Sequence, residues 1–244
     1  MKRAVLVFLS LWTVVFWTGC ATSGKAMLLA QRDPIALVSV VSNHNVNWKG
    51  EAPIDPNKEP GIISRWAMRE EEADQVVASA TNELIKTAET LFRQIMGETG
   101  PINLAERETV LGSRAYQEAR INKNHVYEGL VKPDDFRFVD YRDKNFPAAL
   151  AKETGIQRTM YVEFNFVRAM TFGIGKHGTY RGEVEMTIYI YDAQGKRFFR
   201  KTVTMYSRPT LAVSLGIYSH TELMSHLQST ISDACYEFLD DFES

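Results

Sequence analysis

The apolar positions of this chain follow three patterns, and each predicts an element. Ala36 to Ser42 holds Leu37, Val38, Val40 and Val41 with almost no alternation, which predicts a strand covered on both faces and central in a sheet. From about Arg65 to Met96, Ala73, Val77, Ala80, Leu84, Ala88, Leu91 and Ile95 recur at three and four, the period of a long amphipathic helix with one buried face. Glu70, Glu71, Glu72 and Asp74 fall in its early turns, where negative charge suits the helix dipole, and Gly97 and Gly100-Pro101 stop it. Leu104 to Arg120 reads as a further helix, Phe136 to Tyr141 as a short strand, and Pro147 to Thr154 as a short helix closed by Gly155.

Period-two alternation then takes over. Val162, Phe164 and Phe166 alternate with Glu163 and Asn165 between Thr159 and Arg168, and Val184, Met186, Ile188 and Ile190 with Glu183, Glu185 and Thr187 between Arg181 and Tyr191. After the turn Asp192-Ala193-Gln194-Gly195, a third strand from Arg197 to Tyr206 carries Phe199, Val203 and Met205. Ser219 and Glu222 form a capping box, and Leu223, Leu227, Ile231, Ala234, Phe238 and Phe242 mark a last helix with one buried stripe. The fold class is therefore α/β (α+β): a mixed sheet with a C-terminal antiparallel three-strand meander, helices packed on the sheet, one long amphipathic helix and a closing C-terminal helix. Residues 32–244 make a single domain; Asn43 to Trp48 and the stretch holding Pro53, Pro56, Pro60 and Gly61 form an ordered excursion from it.

Ahead of the domain, Lys2 and Arg3 precede an apolar run from Ala4 to Trp17 broken only by Ser10 and Thr13, and then come Thr18-Gly19-Cys20. That order is the order of a signal peptide. The small residues before the cysteine resemble a lipobox, which implies cleavage by signal peptidase II, palmitate-type acylation of Cys20 and a covalent lipid as the only non-protein group. On this reading 1–19 is the signal peptide and 20–31 a lipidated tether. Trp17 departs from the aliphatic residue usual three positions before the cysteine, a departure that spirochaetal lipoboxes accept. The alternative is an uncleaved membrane helix from Ala4 to Ala21, close to the ~20 residues that span a bilayer. Two or three acyl chains anchor firmly, because each buried CH₂ contributes about 0.8 kcal/mol. Ala21, where aspartate is the usual retention signal in enteric bacteria, points to the outer membrane and its periplasmic face, with the inner membrane facing the periplasm as the alternative.

Loss of the leader leaves 26 Lys and Arg against 30 Asp and Glu, which excludes the basic surface of a nucleic-acid binder. With Cys20 acylated, Cys235 is the one cysteine left, predicted to be buried rather than paired with another chain. His44, His125, His177, His220 and His226 form no metal signature, and no Gly-x-Ser-x-Gly elbow occurs. Gly173-Ile174-Gly175-Lys176-His177-Gly178 has dinucleotide-loop spacing but leads into a strand rather than a helix, so it reads as a hairpin connection. Asp134-Asp135 and Asp240-Asp241 read as exposed or capping acids. No catalytic residue and no metal ligand is assigned.

The order of Ala151-Lys152-Glu153-Thr154-Gly155, a strand from Thr159, a meander and a closing helix resembles the α/β domains of exported lipoproteins such as CsgG and LpoB and the N-terminal domain of TolB. In general character the chain is similar to spirochaetal, Treponema-type lipoproteins. These resemblances imply an accessory role in envelope assembly or secretion. Antiparallel geometry also brings two apolar loops to one sheet edge, one with Met170, Phe172 and Ile174, the other with Leu211, Val213, Leu215, Ile217 and Tyr218. Contiguous apolar loop surface marks contact with an envelope protein partner, a second copy or lipid; the alternative is a satellite core in which the loops cover each other. Residues Arg158 to Arg208 hold nine Lys and Arg against four acids, while Ser219 to Ser244 holds six acids and no base, so the last helix is expected to pair with Arg197, Arg200 and Lys201. The expected function is a non-enzymatic binding or assembly module; a membrane-perturbing or pore-forming oligomer and a hydrolase with a dispersed site are the alternatives.

Overall fold

The computed structural model describes residues 33–50, 68–99, 102–174, 176–214 and 218–243. Cys20 with its leader and tether, most of the proline-containing excursion, and Leu215 and Ile217 lie outside the described residues.

Strands β1 (Ile35–Ser42) and β2 (Asn47–Trp48) are followed by helix α1 (Met68–Thr99), four short helices α2 (Arg107–Leu111), α3 (Arg114–Gln117), α4 (Lys123–Tyr127) and α5 (Asn145–Thr154), strands β3 (Arg158–Ile174), β4 (His177–Asp192), β5 (Arg197–Tyr206) and β6 (Leu211–Val213), and helix α6 (His220–Glu243). The six strands form one mixed sheet in the order β1-β3-β4-β5. β2 continues the line of β1 along β3, and β6 continues the line of β5 along β4. β1 and β3 are parallel; β3, β4 and β5 are the expected antiparallel meander.

The alternation read from the sequence fixes the core face. Met160, Val162, Phe164 and Phe166 of β3 and Val184, Met186, Ile188 and Ile190 of β4 are all buried. Against them lies α6, whose Leu223, Leu227, Ile231, Ala234, Cys235 and Phe238 are buried at the predicted spacing. Each such aliphatic or aromatic side chain contributes about 1.5–3 kcal/mol on leaving water. Glu222 N donates to the Ser219 hydroxyl at 3.3 Å, the expected cap. α1 packs on α6 and β1 through Leu84, Ile85, Ala88, Phe92 and Met96, with Leu91 only partly buried.

Four expectations need correction. β1 is buried on both faces yet lies at the end of the sheet, not its centre. Its outer edge is closed by irregular chain instead of a strand: Ile35 N donates to Asn103 O, Ala105 N to Ile35 O, and Ser42 and Val131 exchange a pair of bonds. Leu104 to Arg120 is two short helices, because the Ser113 hydroxyl accepts from Tyr116 N and starts a new one. Phe136 to Tyr141 forms a single bridge, Ile121 with Val139, rather than a strand. Two of the three bases expected to pair with the acidic last helix, Arg197 and Arg200, make no ion pair with it among the described residues. Both arginines lie over the Tyr189 ring, and Tyr189 is one position out of step with the core-facing Ile188 and Ile190, hence on the other face.

That other face is partly roofed by the 102–145 segment. Asp140 staples it, accepting from the Arg120 side chain at 2.6 and 3.0 Å and from Arg142 N and Nε at 3.0 and 3.2 Å. Glu153, at the end of α5, accepts Arg114 N at 2.7 Å and Ala115 N at 2.8 Å and so caps α3. Among the described residues no helix is long and apolar enough to cross a membrane.

Candidate functional site

The described parts of the segments expected to be apolar loops are strands as far as Ile174 in the first and over Leu211–Val213 in the second. Met170 keeps the β3 period; after a bulge at Thr171 the ladder with β4 runs on to the pair Ile174–His177, with Phe172 and Ile174 on the opposite face of the hairpin from Met170. Gly173 and Gly178 face each other with φ of 136° and 149°. A Cβ on Gly173 would lie 2.2 Å from His177 O, and one on Gly178 would lie 2.1 Å from Phe172 O, so the close approach needs both glycines. The dinucleotide-like spacing is thus a hairpin connection.

Beyond Arg168 no described strand pairs with the outer edge of β3, and the hairpin carries its apolar residues in water: Met170 is 47%, Phe172 80% and Ile174 89% exposed. Leu211 and Val213 do the reverse. They lie in β6 beside Gly178–Tyr180 and are buried, as part of the core. β1 enters parallel to β3 with Ile35 beside Arg158, so the chain arrives at one end of β3 and the hairpin ends at the other.

A clasp holds the hairpin root. The buried Arg168 guanidinium lies 4.0 Å from the Trp48 ring and 5.4 Å from the Tyr218 ring, and its Nη1 donates to Tyr218 Oη at 2.7 Å. Trp48 meets Tyr180 edge-on at 4.6 Å. Beside it Lys49 Nζ pairs with the buried Glu183 at 2.8 Å. Of the eight residues expected to share one surface, the structure exposes Met170 on one face of the hairpin and Phe172 and Ile174 on the other, buries Leu211 and Val213, and ties Tyr218 into the clasp.

A second feature lies on the roofed face, where α4 and the ends of β1 meet the polar side of β3 and β4. It is a pocket of about 340 Å³ lined by His125, Glu128, Tyr141, Glu163, Glu185 and Thr187 among others. Glu163 Oε2 accepts from Tyr189 Oη at 3.2 Å, and Tyr141 stacks on Tyr189 with centroids 6.0 Å apart. His125 Nε2 is 3.7 Å from Glu163 Oε1, too far for a hydrogen bond. Burial raises the Glu163 carboxyl above its ordinary range, more than the Tyr189 hydroxyl and the charge of Arg200 lower it. Burial likewise lowers His125, more than Glu128 and Asp140 raise it. The aliphatic hydroxyls of the pocket already have partners: Thr187 with Thr202, and Ser42 with Asn43 O.

Sequence reasoning missed this pocket. Glu163, Glu185 and Thr187 were legible as the polar side of two strands, but His125 stands in a weakly patterned stretch. The one local signal was Asn122, whose side chain accepts from Asn124 N and starts the short helix that carries the histidine.

No family model matches the sequence, and no curated protein does. Among solved structures, the lipoprotein GNA1162 from Neisseria meningitidis aligns over 84% of this chain and 99% of that chain, with 11% identity and a TM-score of 0.31. A score that low does not establish a common fold. These comparisons give the spirochaetal resemblance no support.

Proposed function

We propose that this protein is a lipid-anchored, non-enzymatic binding or assembly module of the cell envelope, held by acylated Cys20 at the periplasmic face of the outer membrane, and that the β3–β4 hairpin meets an envelope protein partner. The observation that carries the second half is the exposed apolar end of that hairpin, at the opposite end of β3 from the point where the chain enters. Large apolar side chains exposed together at the end of a hairpin mark a contact site.

Geometry favours a protein over the anchor's own bilayer. From Arg158 to Ile174, β3 spans about 50 Å at roughly 3.3 Å per residue. From Cys20 to Ile35, the residue beside Arg158, a fully extended chain reaches about 50–54 Å, so the hairpin tip meets the anchor's own bilayer only with the tether pulled straight, which disfavours lipid as the contact and a pore built from these hairpins.

The test places a photo-crosslinking residue at Phe172, with exposed Lys152 as the control position, in cells carrying the full chain. The expected result is a discrete protein adduct from position 172 alone, lost in the Ile174→Ser background with the melting temperature unchanged. Adducts to lipid alone, or none from position 172, overturn the partner reading. Detergent partitioning of the native chain beside Cys20→Ala tests the anchor: if both enter detergent alike, the lipid reading falls.

One observation favours hydrolysis as a second reading: an acid and an imidazole with displaced titrations sit together in a pocket. Its nucleophile would be water, since the Thr187 and Ser42 hydroxyls are engaged. Ester or amide hydrolysis that disappears in His125→Ala would establish it.

A further inference from the structure

The buried carboxylates elsewhere among the described residues are matched within the chain. Glu183 has Lys49, Asp140 has Arg120 and Arg142, and Glu89 has Arg93. The pocket on the roofed face breaks that pattern. Glu128, Glu163 and Glu185 line it, and no lysine or arginine does. Glu163 has a neutral phenol as its hydrogen-bond donor and the charge of Arg200 only from a distance, without an ion pair, and Glu185 makes no side-chain hydrogen bond or ion pair with any described residue. An unmatched carboxylate in a partly closed space is costly, and a cation entering that space removes the cost.

A second, independent observation points the same way. His125 is 7% exposed, lines the same pocket, and neither of its ring nitrogens has a hydrogen-bond partner among the described residues. A buried imidazole without partners is unusual. Its Nε2 stands 3.7 Å from Glu163 Oε1, so a donor nitrogen set to one side of that line reaches both atoms at ordinary hydrogen-bond lengths of about 2.9 Å. The neutral imidazole that burial favours is the form able to accept. Tyr141 adds an aromatic wall, the kind of surface on which organic cations rest. The volume of about 340 Å³ suits a small molecule or one extended side chain.

We propose that this pocket is a binding site for a small organic cation bearing N–H donors, a primary ammonium or guanidinium group, whose nitrogen bridges Glu163 and His125 while Glu185 and Glu128 balance its charge. Metal is a poorer occupant: no group of three or more His, Cys, Asp or Glu among the described residues could hold one. The proposal concerns a surface separate from the hairpin, so either can fail without the other.

The full mature chain is titrated by calorimetry with putrescine and with Nα-acetyl-lysine methylamide, the second asking whether the cation arrives as a free amine or on a peptide. Tetramethylammonium, which has no N–H, and magnesium are the controls. Saturable binding of either amine below about 1 mM, weakened at least about tenfold in Glu163→Gln and in Glu185→Gln and unchanged in the remote Glu118→Gln, is the expected result. Nuclear magnetic resonance shifts on titration should gather at His125, Glu163 and Glu185, a readout of the wild type that does not depend on any variant folding. No saturation by either amine up to about 10 mM, equal binding of tetramethylammonium or magnesium, or shifts gathered elsewhere overturns the proposal.

Discussion

Replacing Trp48 with alanine tests whether the hairpin root is held by the clasp. Trp48 is 8% exposed, so nearly all of an indole's roughly 150–250 Å² leaves water on folding, about 4–6 kcal/mol at ~25 cal/mol per Å². Large-to-small changes of this kind cost about 3–5 kcal/mol once the surroundings relax. The Arg168 guanidinium, 4.0 Å from the ring and 3% exposed, loses its aromatic face as well, a further loss of up to about 2 kcal/mol. The expected cost is therefore about 4–6 kcal/mol for Trp48→Ala and less than half of that for Trp48→Phe, which keeps a ring under the guanidinium. Denaturant unfolding followed by circular dichroism gives both numbers, and hydrogen exchange of amides 169–180 reports the hairpin. A cost below about 1.5 kcal/mol for the alanine variant would show that the clasp is ornamental to stability. Equal costs for the two variants would show that the ring contributes area and nothing specific to Arg168.

Burial pushes the Cys235 thiol up to about 12, so iodoacetamide at pH 8 should leave the native chain unlabelled at this position and label it rapidly in denaturant, read by mass spectrometry; fast native labelling would place the thiol at the surface. Gly178→Ala should loosen the hairpin by about 1–3 kcal/mol, seen as faster amide exchange at 170–180 with little change in the global transition, because its φ of 149° and the nearby Phe172 O reject a side chain. Glu163 has a raised pKa when folded, so its contribution is fully present below its unfolded pKa near 4.5 and lost as pH rises through the folded value. Glu163→Gln should accordingly melt higher than the wild type at pH 7.5, with the gap closing by pH 4; a gap that widens on acidification would refute the assignment.

The legible parts of this fold are those whose periodicity has one cause. The stripe Leu223, Leu227, Ile231, Ala234 and Phe238 faces a single sheet, and the alternation from Thr159 to Tyr206 sets an apolar side against the last helix and a more polar side under the 102–145 lobe, so the sequence assigns the apolar face correctly. β1 was misplaced because full burial does not say what does the burying: chain at Asn103, Ala105 and Val131 closes its edge, and none of that follows from Val-rich composition. The loops were misread because glycine at 173 and 178 signals irregular backbone in a sequence, whereas here the pair allows two strands to approach. The hairpin half of the proposed contact surface was visible as Met170, Phe172 and Ile174. Leu211 and Val213 have the same composition and the opposite fate, decided by a ladder with β4 that only three dimensions supply. The pocket was illegible for a related reason, since Glu163 and His125 are separated by a whole lobe and meet only after it folds over the sheet.

That lobe hangs on Asp140, which gives a last test of the roof. Its carboxylate is 3% exposed, and all of its acceptor capacity is used: Oδ2 by Arg120, and Oδ1 by the backbone and side chain of Arg142. Burial by itself would raise this carboxyl, but the bond from Arg142 N and those from the two guanidinia outweigh it and hold it below the ordinary range. A depressed carboxylate contributes stability that is present above its unfolded pKa near 3.9 and lost as pH falls through the folded value. Asp140→Asn must turn an amide N–H toward one of its two donors. Charged hydrogen bonds contribute about 1.5–3 kcal/mol each, and the arginine side chains here are 64% and 52% exposed, so the loss should be about 2–3 kcal/mol rather than the sum. Arg142 Nη2 also donates to Asn122 Oδ1 at 3.4 Å, the same oxygen that caps α4, so the variant should speed exchange at 123–128 before the sheet opens. Unfolding at pH 7 with full protection retained at His125 would mean that the roof is held by its apolar contacts, and that Asp140 stabilises the lobe without positioning the histidine.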